Sequence, residues 1–144
     1  MTLKELSQLY YLNREIKRDE ERLNELKLAQ LKVTPNYAGT PKAKGKINDT
    51  MAQNVAYIVD LEQMLRLNIE KRYYEEKRIM NFISSIDDCF LRLIFKLRFI
   101  DCKKWDAIAC QIGGGNSSDT VRNSCYRYLT RFKKLSQMSH KHEI

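Results

Sequence analysis

The chain has 144 residues, 43% hydrophobic and 31% charged, with 26 Lys and Arg against 18 Asp and Glu for a net charge of +8. That length bounds it to about one domain, or one small domain with an appendage. Two prolines and five glycines, three of them consecutive, are too few for the turns of a β-sandwich or barrel, so an all-α fold is expected. No apolar run approaches the roughly 18 residues that cross a membrane. The opening stretch MTLKELSQLYYLNREIKRDEERLNELK carries acids throughout and no apolar signal core. A cytoplasmic protein without membrane association is the expectation. Charge is unevenly spread. Residues 1–88 hold 15 Lys and Arg against 14 Asp and Glu, a balance of +1, and residues 89–144 hold 11 against 4, a balance of +7. A single-sign field concentrated in the last third points to a polyanionic partner.

From Leu3 to about Leu31 the pattern is helical. Leu9, Ile16 and Leu23 repeat every seven residues, Leu12 and Leu26 fill the intermediate positions, and Asp19 interrupts. The segment KVTPNYAGTPKAKGKINDT, about residues 33–50, holds both prolines and reads as a loop. Its Lys42, Lys44 and Lys46 read first as a solvated surface, with phosphate contact as the alternative. Asp49 or Thr50 is the expected cap of a second long helix, running from Met51 to about Ile83. Val55, Ile58, Leu65, Ile69, Ile79 and Ile83 lie on its heptad grid, with Glu62, Arg72 and Glu76 between them. Neither helix can bury its stripe alone. Residues 1–83 are therefore expected to form a long antiparallel, coiled-coil-like hairpin, extended or doubled in a homo-oligomer by a second copy of the chain.

SSIDD marks the next boundary, with Ser84 or Ser85 as cap and Asp87 and Asp88 in the first turn of a helix to about Phe99. At 100° per residue, Ile86, Cys89, Phe90, Leu93, Ile94 and Leu97 share one face, and Leu91, Phe95 and Phe99 lie opposite. A helix apolar on two sides is normally sandwiched, here between the C-terminal helices and the hairpin, a second subunit or a foreign partner. Trp105, Ile108, Ala109 and Ile112 then give a two-turn helix. Trp105 is its expected core anchor, and Ala109 is the small residue that a close helix crossing needs. Gly113 should end that helix in a left-handed conformation. Asn116, Ser117 and Ser118 offer caps for a last helix whose core side is Val121, Cys125, Tyr128, Phe132 and Leu135.

The opposite side of that last helix carries Asp119, Asn123, Arg127, Thr130 and Lys134, with Arg122 and Tyr126 on the flank. These residue types suit duplex DNA. Arg grips a guanine edge with two hydrogen bonds, Asn does the same for adenine, and Tyr, Thr and Lys bind phosphates. The helix N-terminus after the glycine turn would offer N–H groups and a positive dipole end to a phosphate. A small residue, a glycine turn, a serine cap and a basic second helix, in that order, predict a helix-turn-helix over residues 84–136, followed by a polar tail at 137–144. The duller alternative is a helical corner in a protein-binding bundle. The turn GGGNSS is about two residues longer than the usual three- to four-residue link.

Other chemistries find little support. A phosphate-cradling loop needs Lys followed by Ser or Thr after its last glycine, and here Asn116 follows Gly115. Cys89, Cys102, Cys110 and Cys125 form no CxxC pair, and His140 and His142 sit in the tail. Free thiols, no metal, no cofactor and no enzymatic activity are expected.

The stretches LIFKLRFIDCKKWDAIACQIG and SSDTVRNSCYRYLTRF resemble region 4 of bacterial sigma factors. There a helix leads into a W-x-x-I-A-x-x-I/L-G element and then a T-V-R recognition helix. Most of the chain is similar to small phage-encoded regulators of Gram-positive bacteria, the ArpU/RinA-like late-transcription proteins. These share an opening like LYYLNREIKR and a middle loop like YAGTPKAKGKINDTMA followed by IVDLE. The resemblance implies phage or prophage origin, double-stranded DNA binding, contact with RNA polymerase, and a recognition role for Ser118 to Leu129. The glycine turn departs from the pattern. The leading expectation is a sequence-specific transcription regulator with its recognition helix in the major groove. The alternatives are a mobile-element adaptor or inhibitor that binds protein through the hairpin, and a DNA-packaging subunit of the small-terminase kind.

Overall fold

The computed structural model describes residues 1–32 and 47–139, with the side chains of 1–31 and 52–134. These residues are all-helical and contain no strand. In chain order they form α1 (Leu3–Leu6), α2 (Gln8–Lys32), α3 (Ile47–Ser84), α4 (Cys89–Phe95), a π-helical turn (Lys96–Ile100), α5 (Trp105–Ile112) and α6 (Ser118–Ser139). The expected loop lysines Lys42, Lys44 and Lys46, the side chain of Leu135, and His140 and His142 lie outside the described residues and side chains. No described helix is long and apolar enough to cross a membrane.

Three boundaries differ from the expectation, each for a local reason. The first helix is interrupted at Ser7, whose hydroxyl donates to the carbonyl of Leu3 at 2.9 Å and competes with the helical ladder. The helix α3 begins at Ile47, four residues before Met51. Asn and Asp tolerate a first helical turn as well as a cap, because the positive dipole end favours an acid there. Ser84 and Ser85 do not cap α4. Their hydroxyls donate backward, to the carbonyls of Met80 at 2.9 Å and Phe82 at 2.7 Å, and close α3. Asp88 caps α4, its carboxylate accepting from the amides of Phe90 at 2.8 Å and Leu91 at 3.4 Å.

The chain packs as two compact units, one of Met1–Leu12 with Arg72–Ile144 and one of Asn13–Lys71. The first unit holds a core of Leu6, Leu9, Ile79, Ile83, Ile86, Ile94, Phe95, Leu97, Phe99, Ile108, Ala109, Val121, Cys125 and Leu129. Thr2 caps its α1 and exchanges hydrogen bonds with Glu5. Those bonds, the backbone one first, hold the Glu5 carboxyl below its ordinary range. Arg78 reaches Glu5 at 3.8 Å. Phe95 is completely buried, with its ring 6.1 Å from that of Phe82, 5.3 Å from Phe99 and 5.7 Å from Tyr128.

Uniform periodicity makes both sides of the segment from α4 through the π-helical turn apolar, and the structure buries members of each, Ile94 and Leu97 from one and Phe95 and Phe99 from the other. Ile86 precedes the Asp88 cap, so it has no fixed phase relation to the helix. The buried residues of α4 are Ile94 and Phe95, with Leu91 half-buried. Cys89 is exposed, and so is Leu93. At Lys96–Ile100 the ladder lengthens, with the Asp101 amide donating to Lys96 at 3.0 Å. Leu97 and Phe99, two residues apart on opposite sides of this turn, are both buried, so the segment is packed on two sides here. Both apolar sides are thus buried in part, Leu93 and Cys89 remaining exposed.

In the second unit, Ile16 and Leu23 of α2 and Ile58, Leu61 and Leu65 of α3 are buried. Lys27 Nζ lies 2.6 Å from Glu62 Oε1, which brings the two helices side by side. Leu26 is half-buried, and Asp19 lies half-buried beside Arg18 at 3.5 Å. Val55 and Ile69, expected in the seam, are exposed, and Leu61 takes a place there instead. One partner helix covers only a narrow stripe, so the outer members of a wider grid stay in water.

The unequal burial along α4 makes a testable contrast. Phe95→Ala should lower stability by about 3–5 kcal/mol. Leu93→Ala, at an exposed position of the same helix, should cost less than about 1 kcal/mol. Urea denaturation of the two variants measures both, and equal losses would contradict the register described.

Candidate nucleic-acid interface

The helix α5 packs most closely against α6, through Ile108 and Ala109 on one side and Val121 and Cys125 on the other. Ala109 is buried at this contact, as its size predicts. Trp105 is half-buried rather than a fully enclosed anchor. The Arg98 guanidinium sits 4.7 Å over its ring, and the ring of Tyr126 meets its edge at 6.1 Å. A cation on one face and an aromatic edge beside it hold the indole at the rim of the core.

The link from α5 to α6 explains the glycine run. Gly113, Gly114 and Gly115 have φ of 68°, 67° and 73°. A side chain at Gly113 or Gly115 would meet nothing within 4 Å, so backbone conformation, not space, calls for glycine. The Gly113 amide donates to Ala109 at 3.0 Å and closes α5, but its ψ of −151° is not the left-handed helical value expected. That region is open essentially to glycine alone. The Asn116 side chain donates to the Gly113 carbonyl at 2.9 Å. Ser117 caps α6, its hydroxyl accepting from the Thr120 amide at 3.1 Å.

These bonds divide the ten residues expected at the interface. Asn116 and Ser117 are engaged in the turn, and Ser118 opens α6 half-buried. The expected free helix N-terminus is partly occupied, because Ser117 takes the Thr120 amide with its side chain and the Val121 amide with its carbonyl. Asp119 and Arg122 form an ion pair at 2.6 Å, so an acid already meets this cation. The Thr130 hydroxyl donates to the Tyr126 carbonyl at 2.9 Å, within α6.

Asn123, Tyr126, Arg127, Thr130 and Lys134 lie together on one exposed stripe of α6, and Arg131 joins them. Their spacing of three and four residues aligns them along a single helix face. Arg131 is missed by taking the face directly opposite Val121, although its position four residues after Arg127 is the signal that finds it. Among the described residues, Asn123, Arg127, Arg131 and Lys134 make no side-chain hydrogen bond or ion pair.

Other cations of this region serve the scaffold. Arg92 donates to the carbonyls of Ile86 and Asp87, Arg98 donates to Lys103 O at 2.7 Å, and Lys103 Nζ bonds Gln111 at 2.6 Å. The core side of α6 contains Leu129, which the expected stripe omitted, beside Val121 and Cys125, with Tyr128 and Phe132 half-buried. All four cysteines are free. Among the described residues no group of His, Cys, Asp and Glu is arranged to hold a metal ion. No family model, curated protein or solved structure matches this chain.

Burial pushes the Cys125 thiol up from 9.0 to about 12, against a smaller opposing pull from Arg98. The folded protein therefore keeps this proton across a pH range in which the unfolded chain releases it. Between about pH 9 and 12 the folded state binds more protons, so stability from this group falls as pH rises. Denaturation curves over that range should show a shallower loss for Cys125→Ala than for the native chain. Thiol reagents should label exposed Cys89 and Cys110 in the folded protein and reach Cys125 only on unfolding.

Proposed function

We propose that the protein is a sequence-specific DNA-binding regulator in which α5 and α6 act as a helix-turn-helix and α6 enters the major groove. The observation that carries this reading is the exposed stripe Asn123, Tyr126, Arg127, Thr130, Arg131 and Lys134, on a helix whose other side is anchored in the core. A core-anchored helix with an outward row of cations, unpaired among the described residues, and one amide matches the demands of duplex recognition. The cations neutralise phosphates, and a bidentate Arg or Asn discriminates bases. Arg127 and Asn123 are assigned to base edges. Arg131 and Lys134, further along the helix, are assigned to the phosphate backbone with Tyr126. Asp119 orients Arg122 and disfavours phosphate close to the first turn of α6.

The resemblance to sigma region 4 and to ArpU/RinA-like regulators supports the same assignment, and extends it to a phage or prophage setting and to contact with RNA polymerase. The long helices α2 and α3 would then serve as a surface for other proteins.

Selection from a random duplex pool, followed by anisotropy titrations at several salt concentrations, tests the reading. Arg127→Ala and Asn123→Ala should each weaken binding to the selected site by about 1–3 kcal/mol and relax preference at one position. Lys134→Ala should weaken selected and unselected duplexes alike and reduce the salt slope by about one. Absence of duplex binding at low salt, or unchanged affinity in both base-edge variants, would reject the groove assignment in favour of a protein-binding adaptor.

A further inference from the structure

The contact between α2 and α3 uses Ile58, Leu61 and Leu65. A second stripe runs along a different side of α3, through Tyr57, Asp60, Met64, Leu67 and Lys71. Its steps are three, four, three and four residues, the spacing of a coiled-coil seam. Every member is exposed. Tyr57 keeps 49% of its surface in water, Met64 58% and Leu67 64%. Tyr57, Met64 and Leu67, apolar residues in seam spacing left in water, form a helix face without a partner among the described residues.

The charges on this stripe indicate what covers it. Asp60 and Lys71 are eleven residues apart on one helix, about 16 Å, and cannot reach each other. Among the described residues neither has an ion-pair partner, whereas Lys17, Arg22 and Lys27 of α2 all have one. Its four members Asp60, Met64, Leu67 and Lys71 are symmetric about the point between Leu65 and Arg66, and the same symmetry pairs Tyr57 with Tyr74. An antiparallel second copy, related by a two-fold axis through that point, places Asp60 opposite Lys71 and Lys71 opposite Asp60. The same operation places Met64 opposite Leu67 in both central layers. In coiled-coil terms each layer pairs one seam position with the other kind, as antiparallel packing requires. An in-register parallel pair would instead oppose Asp60 to Asp60 and Lys71 to Lys71, which is repulsive.

We propose that a second copy of this chain docks on the Tyr57, Asp60, Met64, Leu67 and Lys71 face of α3, antiparallel and about a two-fold axis, to form a homodimer. This relocates the contact expected from the sequence. Ile16 and Leu23 are buried within the chain's own second unit and are not available to a second copy. The dimer stands independently of DNA binding, because its contact residues lie outside α6 and its mass is measured without DNA.

Sedimentation equilibrium of the full chain from about 1 to 100 μM, a span that covers micromolar association, tests the pairing. A mass of twice 17.1 kDa is expected at the upper concentrations. Asp60→Lys and Lys71→Asp should each weaken association by at least about tenfold, since symmetry creates two repulsive contacts per change. The double variant Asp60→Lys with Lys71→Asp should restore association, because the exchange preserves antiparallel complementarity. Met64→Glu with Leu67→Glu should leave monomers of unchanged helicity. A monomer at every concentration overturns the proposal. So does a dimer indifferent to Met64→Glu with Leu67→Glu, or a charge exchange that fails to restore association.

Discussion

Burial of Phe95 is the constraint around which the first compact unit is arranged. Its ring contacts those of Phe82 from the end of α3, Phe99 from the π-helical turn and Tyr128 from α6. Elements far apart in sequence thus share one apolar centre. The centre is continuous with Leu6 and Leu9 near the N-terminus and with Ile108 and Val121 in α5 and α6. Close packing at this junction leaves little freedom in the rotation of α6 about its own axis, since Val121, Cys125 and Leu129 must all point inward. The direction of the basic stripe is fixed by that rotation. An electrostatic property of the surface is therefore set by aromatic packing in the interior.

The excess positive charge of the C-terminal third divides between two tasks. Arg92 and Arg98 close backbone carbonyls at the ends of short segments, and Arg98 also covers the Trp105 ring. These cations compensate for tight connections that leave carbonyls without helical partners. Arg122 is matched by Asp119. Arg127, Arg131 and Lys134 meet no acid among the described residues and share an exposed face with an amide and a phenol. A solubilising charge has no reason to segregate in this way, whereas a surface that meets a polyanion does.

The second compact unit is held differently. Two helices bury five apolar side chains between them and carry Lys27–Glu62 across the contact. Exposed ion pairs of this kind contribute little on their own. A two-helix contact leaves most of each helix circumference in water. It is therefore on α3, the longer helix, that apolar seam positions remain uncovered. The intact spacing of those positions, with oppositely charged residues at mirrored places, gives a physical reason for a second copy to pair there.

The helical class was legible in the amino-acid sequence, because turn residues are scarce and apolar residues recur at steps of three and four. So were the inward residues Leu9, Ile16, Leu23, Ile79, Ile83, Ile108, Val121 and Cys125, and the outward placement of Asn123, Arg127 and Lys134. All of these derive from uniform periodicity within one helix. Where that periodicity fails depends on contacts made in the folded chain. A side-chain oxygen can cap the helix ahead of it or the helix that ends, and the choice at Ser84, Ser85 and Asp88 depends on which backbone groups lie within reach. The π-helical turn has no signature in residue type. It lengthens the ladder at Lys96–Ile100, within a segment where Leu97 and Phe99 are both buried. Partnering was equally illegible. A cation, an amide or an apolar side chain looks the same in sequence whether a neighbour occupies it or leaves it free. Arg98 and Arg127 are the same residue type with similar surroundings in the chain. One is held over an indole and the other is left to solvent, because contact is a property of three-dimensional proximity and not of spacing along one helix.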